Sequence, residues 1–443
     1  MTALFPRLRA AAIAGCVAFA APQAQAAAEI QRVISPGGIE AWLVEEHAIP
    51  MVAIEIAFVG GAATEPEDRL GVTRFLSAML DEGAGDLDST AFAERAELLA
   101  ARFSFSANRD AFAVSARMLS DALDDSLALL RSALTEPRFD EEPLRRVRGQ
   151  ILAGLRSDET DPDSLASEAW FAAAFPGHPY GRKTEGTPET VAAITADDLR
   201  AARLRALNRS AAVIGVVGAI DAETLGRALD ALLLDLPQGP VETAAPTDVA
   251  AQGGVTVIPF DAPQSTVLFG HAGQLRDDPD FIPAYVMNYI LGGGGFSSRL
   301  TVEVREKRGL AYSAYSYLAP FDRAGVIMGG VGTANARVAE SVEVIRAEWA
   351  RMAAEGVSAE ELAKAKSFLT GSYALRFDSN ARIAANLVAL QRDNLGIDYV
   401  EKRNALVEAV TLEDVRRVAE RWLKPEALSF VVVGQPEGLP VGQ

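Results

Sequence analysis

Histidine is the residue type in this chain best suited to bind a metal ion or to act as a general base. The sequence contains three histidines, His47, His178 and His271. They lie far apart, and none has a second potential ligand at a spacing typical of a metal site. The sequence also offers no recognisable pair of nucleophile and base. We therefore predict neither a metal site built from these histidines nor a hydrolase that relies on such a pair.

Four consecutive glycines, Gly292 to Gly295, could indicate a loop that binds phosphate. Such a loop continues into Lys and Ser or Thr, and it lies between a strand and a helix. Neither feature is present here, because no such Lys follows and the preceding segment has the pattern of an apolar helix. We interpret the glycines as a flexible turn after that helix.

The N-terminus has the pattern of a secretory signal. Two arginines precede an apolar run from Ala10 to Ala21, and Ala24-Gln25-Ala26 fits a cleavage site. We predict a signal peptide over residues 1–26, with cleavage near Ala26, and a periplasmic or secreted protein. The single cysteine, Cys16, would then be removed. In an alternative interpretation, Ile13-Ala14-Gly15-Cys16 is a lipobox and the lipidated Cys16 anchors the protein.

Length and charge narrow the function classes. The 443 residues are sufficient for two or more domains, and 49% of them are hydrophobic, as in a globular protein. Without residues 1–26 the chain has 40 basic residues (42 minus two arginines) and 60 acidic ones, a formal charge of about −20. This charge argues against nucleic acid or an anionic membrane as a partner. After the signal, no run of apolar residues is long enough to predict a transmembrane span.

The sequence contains a long internal repeat. Segments 191–218 and 407–434 match without a gap, at an offset of 216 residues (411 minus 195). Each has a capping box that begins at a threonine, Thr195 or Thr411, then an amphipathic helix and a β-branched strand that ends at glycine. A period this long predicts a duplicated domain rather than a solenoid.

These patterns predict the domain organisation and the fold class. We place an N-terminal domain at residues 29–236, a Pro-rich linker at 237–253 and a C-terminal domain at 254–437. Apolar and polar residues alternate on both sides of Asn108-Arg109-Asp110, which predicts a β-hairpin, and long helical segments follow. Hairpins and helices in separate blocks predict an α+β fold, in which helices cover one face of a mainly antiparallel sheet in each half.

Three stretches resemble the pitrilysin/insulinase family of zinc peptidases, which includes the mitochondrial processing peptidase and the core proteins of the cytochrome bc1 complex. They are Gly71 to Leu80, Phe175 to Gly181 with Gly186 to Pro188, and Leu291 to Leu300 with Glu303 to Tyr312. The last is the most specific, and the likeness covers about Ile30 to Gly434. The resemblance implies two homologous halves, each with a sheet of about six strands, that form half of a clamshell chamber around an extended peptide.

The resemblance also shows what the chain lacks. Active members carry H-x-x-E-H in the first half and a third glutamate ligand on a later helix. The matching positions here hold Arg74, Ser77 and Ala78: a permanent cation, a poor base and a side chain with no lone pair. The later helix has no carboxylate from Pro143 to Ser157. We therefore expect no zinc bound by this chain and no peptidase activity from it alone.

The second half keeps a feature that the family uses in catalysis. In active members an Arg and a Tyr, seven residues apart, reach into the active site, and they match Arg305 and Tyr312. The resemblance implies that the Tyr hydroxyl hydrogen-bonds the oxyanion and that the Arg holds a substrate carbonyl. The alternative interpretation is a solvated arginine and a core tyrosine at the start of a strand.

This selective loss leads to a functional hypothesis. The chain would be the non-catalytic, substrate-binding subunit of a heterodimeric periplasmic zinc metallopeptidase that acts on unfolded or short peptides. Its partner, a homologous chain that binds zinc, would receive Arg305 and Tyr312 at its active site. The alternative is a purely structural or peptide-binding scaffold like the bc1 core proteins, as a homodimer or in a larger complex, with no hydrolytic role.

Overall fold

A computed structural model describes residues 29–439, so the predicted signal peptide and Cys16 lie outside the described residues. The first half is built on a mixed sheet. Its strands are β1 (Ile30–Ile34), β2 (Glu40–Glu45), β3 (Met51–Val59), β6 (Arg102–Ala107), β7 (Ala111–Leu119) and β8 (Ala212–Gly218), with a small separate pair, β4 (Gly83–Ala84) and β5 (Leu87–Asp88). The order in the large sheet is β1-β2-β8-β3-β7-β6. Only β2 and β8 pair in parallel among these strands, so the sheet is mainly antiparallel, as predicted.

Eight α-helices lie in the described part of the first half. They are α1 (Val72–Ser77), α2 (Ser89–Leu98), α3 (Leu123–Thr135), α4 (Glu141–Asp158), α5 (Pro162–Ala174), α6 (Pro188–Ala193), α7 (Ala196–Ala206) and α8 (Ala222–Leu233). The capping box predicted at Thr195 is present, with Thr195 Oγ1 accepting from the Asp198 amide at 3.2 Å. The predicted hairpin is β6–β7, and its turn is fixed because Asn108 Oδ1 accepts from the amides of Asp110 and Ala111.

The second half repeats this sheet with one strand fewer. Its strands are β9 (Gly254–Pro259), β10 (Gln264–Gly273), β11 (Ala311–Pro320), β12 (Gly325–Ala334) and β13 (Ser429–Gly434). Their order, β9-β13-β10-β12-β11, reproduces β2-β8-β3-β7-β6. We predicted about six strands, but nothing in this sheet corresponds to β1. The residues before β9, 237–253, form no helix or strand, because their prolines remove backbone donors and their side chains do not alternate.

The second half has six α-helices and two π-helical turns within the residues up to 439, besides short 3-10 turns. The helices are α9 (Phe281–Asn288), α10 (Val338–Glu355), α11 (Ala359–Gly371), α12 (Asn380–Arg392), α13 (Tyr399–Ala409) and α14 (Leu412–Trp422). The π-helical turns are Tyr289–Gly293 and Thr301–Glu306. The chain therefore has the predicted α+β fold in two homologous halves, each with its own apolar core.

Each half contributes one helix that packs on the sheet of the other half, and we call these two helices, α5 and α12, the exchanged helices. Helix α5 of the first half packs on the second sheet, where Trp170 is 1% exposed and donates to the carbonyl of Ser429. Helix α12 of the second half packs in the same way on the first sheet, through residues such as Leu387. A glycine permits each contact. A Cβ on Gly270 would lie 2.8 Å from Trp170, and one on Gly215 would lie 2.4 Å from the carbonyl oxygen of Ala384.

A buried tyrosine joins the two halves. It lies in the turn Phe175 to Gly181, one of the three stretches that resemble the peptidase family. Tyr180 is fully buried, and its hydroxyl donates to Asp110 in the β6–β7 turn. The same hydroxyl accepts from the backbone amide of Arg323, in the β11–β12 turn, at 3.0 Å. The amide of Asp322 donates to the second oxygen of Asp110 at 3.2 Å. The hairpin tips of the two halves therefore meet at one phenol.

We predict that Tyr180→Phe lowers the free energy of unfolding by about 1–3 kcal/mol, since it leaves one oxygen of the partly buried Asp110 carboxylate without its donor and the Arg323 amide without its acceptor. Burial already raises the pKa of Asp110, and the hydrogen bond from Tyr180 offsets part of that increase. Urea unfolding checks the prediction. The control is Tyr312→Phe, at a side chain that is 80% exposed, for which we expect no change; an equal effect of both variants would contradict this account of Tyr180.

Candidate functional site

Arg305 and Tyr312 lie together on the surface of the second half. Arg305 comes from the π-helical turn Thr301–Glu306, and Tyr312 is the second residue of β11. The Arg305 Cζ lies 4.8 Å from the Tyr312 ring centroid and 4.8 Å from that of Phe296. Tyr312 is 80% exposed and Phe296 69%. Tyr312 is therefore not a core residue, and the guanidinium lies between two solvent-facing aromatic rings.

The turn that carries Arg305 is fixed by a buried glutamate. Glu303 accepts from Lys307 Nζ at 2.7 Å and from Arg308 Nη1 at 2.6 Å. Burial alone would raise the pKa of Glu303, but the hydrogen bonds and charges of these two cations hold it below its usual value. Thr301 Oγ1 donates to the carbonyl of Ala314 and so ties the turn to β11. Within residues 29–439, the ion pairs of this turn are formed by Glu303 and none by Arg305, so the charge of Arg305 remains available.

The glycine-rich segment packs more tightly than we predicted. Helix α9 continues into the π-helical turn Tyr289–Gly293, and a Cβ on Gly292 would lie 2.3 Å from Ser316 Oγ on β11. Ser316 Oγ donates in turn to Asn288 Oδ1 at 2.7 Å. The prediction of a flexible turn is therefore wrong at Gly292, where glycine permits a close approach to the sheet. This contact places Phe296, which follows the glycines, beside Arg305.

Arg299 is a positioning residue that our sequence reasoning did not identify. Its Nε and Nη2 donate to the two carboxylate oxygens of Glu361 at 2.7 and 2.8 Å. Glu361 also forms a capping box with Ser358 at the start of α11, so this glutamate has two roles. The hydrogen bonds from Arg299 lower the pKa of Glu361 to about 2. A partly buried pair with this bidentate geometry fixes the start of the segment that leads to Arg305.

The positions that match the zinc motif do not form a metal site. Arg74 and Ser77 lie on α1, and Ala78 follows it. Arg74 Nη1 donates to Ser77 Oγ at 3.2 Å, and Ser77 Oγ donates to the Arg74 carbonyl at 2.8 Å. From α4, the Arg148 guanidinium lies 5.7 Å from the ring centroid of Phe75. Two cations and a hydroxyl do not fit zinc, which is bound by Cys, His, Asp and Glu.

One buried carboxylate lies at the start of α1, but its oxygens are in use. Glu65 is 5% exposed and accepts from the amides of Gly71 at 2.8 Å and Thr73 at 2.6 Å. It therefore satisfies backbone donors at the helix start. Over residues 29–439, no three His, Cys, Asp or Glu side chains are grouped so that they could hold a metal ion. In the same range, no hydrogen bond or ring contact joins Arg74 or Ser77 to Arg305 or Tyr312.

Two of the histidines have structural partners. His271 is buried on β10, where its Nε2 accepts from Trp349 Nε1 at 2.8 Å and its Nδ1 lies 2.6 Å from the carbonyl of Ala272. Because Nε2 accepts, the hydrogen must be on Nδ1 and the ring is neutral. His178 Nδ1 accepts from the amide of Tyr180 in the turn described above.

This arrangement predicts a pH effect on stability. Burial lowers the pKa of His271 from 6.5 to about 4, whereas the unfolded chain takes up a proton near the ordinary value. The neutral His271 ring therefore makes its full contribution to the free energy of unfolding above pH 6.5. That contribution is lost as pH falls toward 4, by about 3 kcal/mol in total. Urea unfolding between pH 7.5 and 4 measures it. His271→Gln should show a smaller decrease than the wild type, and the control His47→Gln, at an exposed residue, should not. Equal pH dependence in all three would contradict the assignment.

Together, the duplicated sheet, the exchanged helices and the replaced zinc positions define a class: a two-domain chain of the peptidase fold that lacks the ligands of a metallopeptidase. Comparison with known proteins supports this. Residues 42–188 match the family model "Insulinase (Peptidase family M16)", and residues 193–369 match "Peptidase M16 inactive domain". The chain belongs to the insulinase family of peptidases, family M16.

Individual relatives span nearly the whole chain. A Helicobacter pylori protein named "Non-peptidase homolog YmxG" is 30% identical over 415 residues, which are 92% of this chain and 95% of that protein. A Rickettsia bellii protein named "Uncharacterized zinc protease" is 25% identical and covers 86% of this chain and 92% of its own length. A crystal structure titled as a peptidase M16 inactive domain from Pseudomonas fluorescens superposes with a TM-score of 0.87 at 29% identity, covering 94% of this chain and 100% of that one.

None of the helices between residues 29 and 439 combines the length and the apolar character needed to cross a membrane.

Proposed function

We propose that this chain is the non-catalytic, substrate-binding subunit of a periplasmic zinc metallopeptidase. It pairs with a homologous chain that binds zinc, and it supplies Arg305 and Tyr312 to the active site of that chain. The observation that carries the proposal is the contrast between the two sites. Arg74, Ser77 and Ala78 cannot replace the ligands of the zinc motif, whereas Tyr312 is exposed and the partly exposed Arg305 is held in contact with it.

The chemistry of the pair fits this role. The Tyr312 hydroxyl faces solvent and can donate to the oxyanion that forms when a peptide carbonyl is attacked. The Arg305 guanidinium can hold a neighbouring substrate carbonyl, and its stacking between Phe296 and Tyr312 limits its rotation. Both groups act on peptide backbone, which favours an unfolded or short peptide as the substrate.

Affinity purification of the tagged chain from its own cells, with metal analysis, tests the pairing. We expect a homologous chain with H-x-x-E-H to copurify together with zinc, and the isolated tagged chain to contain none. Stoichiometric zinc in the isolated chain, or recovery of this chain only with further copies of itself, would contradict the proposal.

A scaffold without hydrolytic role is the second candidate, favoured by the name of the Helicobacter pylori relative, "Non-peptidase homolog". It predicts a stable complex that cleaves no peptide in any pairing. The two candidates therefore differ in the activity of the assembled complex, not in the presence of a partner.

A further inference from the structure

A cavity of about 560 Å³ lies beside the edge strand β11. It begins at Tyr315 on that strand, and Tyr312 is not part of its lining. Its walls come from α9 and the glycine-rich segment after it, from α12, α13 and the short helical turn Tyr373–Phe377, with residues 315–318 of β11 along one side. It is large enough to enclose the end of a peptide. Its main polar groups are on Arg276, Arg376, Arg403, Asp393, Tyr285 and Tyr373.

Positive charge is in excess in this cavity, although the chain as a whole has 42 basic and 60 acidic residues. Asp393 is the one acidic residue of the lining, and its Oδ2 lies 3.2 Å from Nε of Arg276. That pair is neutral overall. Across the described part of the chain, Arg376 and Arg403 have no carboxylate within ion-pair distance, so two cations remain uncompensated.

Both uncompensated arginines contact the same tyrosine. Arg376 Nη2 donates to the Tyr285 hydroxyl at 3.3 Å, and the Arg403 Cζ lies 5.7 Å from the Tyr285 ring centroid. Arg403 is only 5% exposed and also stacks on Tyr373, 4.5 Å from its centroid. Two cations this close together repel each other, and desolvation of Arg403 adds to the cost. An anion between them would reduce both costs.

The tyrosine completes the set of donors. Because the Tyr285 oxygen accepts from Arg376, its own hydroxyl hydrogen can be donated to a ligand. One Nη atom of Arg403 is used by the carbonyl of Leu369 at 2.6 Å, which orients the guanidinium and leaves its other nitrogens for the cavity. Aromatic and aliphatic residues, Phe281 and Leu390 among them, supply an apolar wall.

We propose that this cavity binds the C-terminal carboxylate of a peptide, with the last side chain against the apolar wall. Guanidinium and carboxylate match in charge and in bidentate geometry. Only one of the two unpaired arginines is buried, which suits a single negative charge better than a phosphate dianion. The inference rests on the proposed function only in taking the ligand to be a peptide, and it concerns residues other than Arg305 and Tyr312.

Calorimetric titration of the purified chain tests this, with N-acetyl-Leu-Phe as the free carboxylate and its C-terminal amide as the matched probe. We expect the carboxylate form to bind at least about tenfold more tightly than the amide, from one charge-assisted contact. Arg376→Gln, at an exposed residue, should remove that difference without unfolding the chain. Arg403→Gln should do the same if it folds. Arg382→Gln, an exposed arginine that pairs with Asp378, is the control and should leave binding unchanged.

The outcomes separate the possible sources of the anion. Equal binding of the two forms, no binding of either, or an unchanged difference in Arg376→Gln would overturn the proposal. So would inorganic phosphate or an amidated peptide with a glutamate side chain if either bound as tightly as N-acetyl-Leu-Phe. This titration uses the isolated chain, whereas the proposed subunit function is tested by copurification with a zinc-binding chain, so the two proposals fail independently.

Discussion

In the assembled complex, Tyr312→Phe should lower kcat by about 10²- to 10³-fold, the usual cost of removing one oxyanion donor. The loss should be in kcat rather than in KM, because the hydroxyl bonds most strongly to charge that develops in the transition state. Arg305→Ala should lower kcat/KM by about 10- to 100-fold through the loss of a charge-assisted hydrogen bond. Steady-state cleavage of a quenched fluorescent peptide measures both effects.

Assembly must be checked beside the rates. The expected result is that both variants copurify with the partner and that the zinc content of the complex is unchanged. The control is Arg337→Ala, at an exposed arginine that pairs with Glu340 in the same half, and its rates should equal those of the wild type. Rates within twofold of wild type for both Arg305→Ala and Tyr312→Phe would exclude the proposed role of the pair.

Trp170→Ala should cause the largest loss of stability, about 3–5 kcal/mol, since it leaves a large cavity beneath α5. Leu387→Ala, on the reciprocal helix α12, should cost about 2–5 kcal/mol. Each of these helices packs on the sheet of the other half. Each variant should therefore destabilise the sheet of the half that does not contain the substituted residue. Urea unfolding gives the magnitude, and hydrogen exchange resolved by peptide gives the location.

Location is the sharper readout of that experiment. In Trp170→Ala, exchange should accelerate in β10 and β13 of the second half, and in Leu387→Ala in β3 and β8 of the first. Leu98→Ala, at a leucine that is 77% exposed, should leave both stability and exchange nearly unchanged. Destabilisation of the first half alone by Trp170→Ala would show that the exchanged helices do not couple the halves.

The duplication and the fold class could be predicted from the sequence because both depend on local patterns. The capping boxes at Thr195 and Thr411 and the strands that follow them occupy equivalent places in the two sheets. The exchange of α5 and α12 could not be predicted, since an amphipathic pattern shows which face of a helix is apolar but not which sheet covers it. Gly215 and Gly270, inside strands, were the available signal, because glycine there marks a close approach.

The candidate site was predictable only in part. The family resemblance pointed to Arg305 and Tyr312 by residue type and spacing. It did not predict that Phe296 would lie against Arg305, because that contact depends on the π-helical turn at Gly292 and its packing on Ser316. Hydrophobic periodicity does not distinguish a π-helical turn from the end of an α-helix. The role of Arg299 depends on Glu361, 62 residues away. A pairing over that distance leaves no local pattern in the sequence.

The most direct test of the division of roles between two chains is a reconstitution assay. A homologous chain with H-x-x-E-H, loaded with zinc, is titrated with this chain while cleavage of an unfolded peptide is followed. We expect neither chain to cleave alone, and the rate to rise to a plateau at a one-to-one ratio. Full activity of the zinc-binding chain alone, unchanged when this chain is added, would contradict the account.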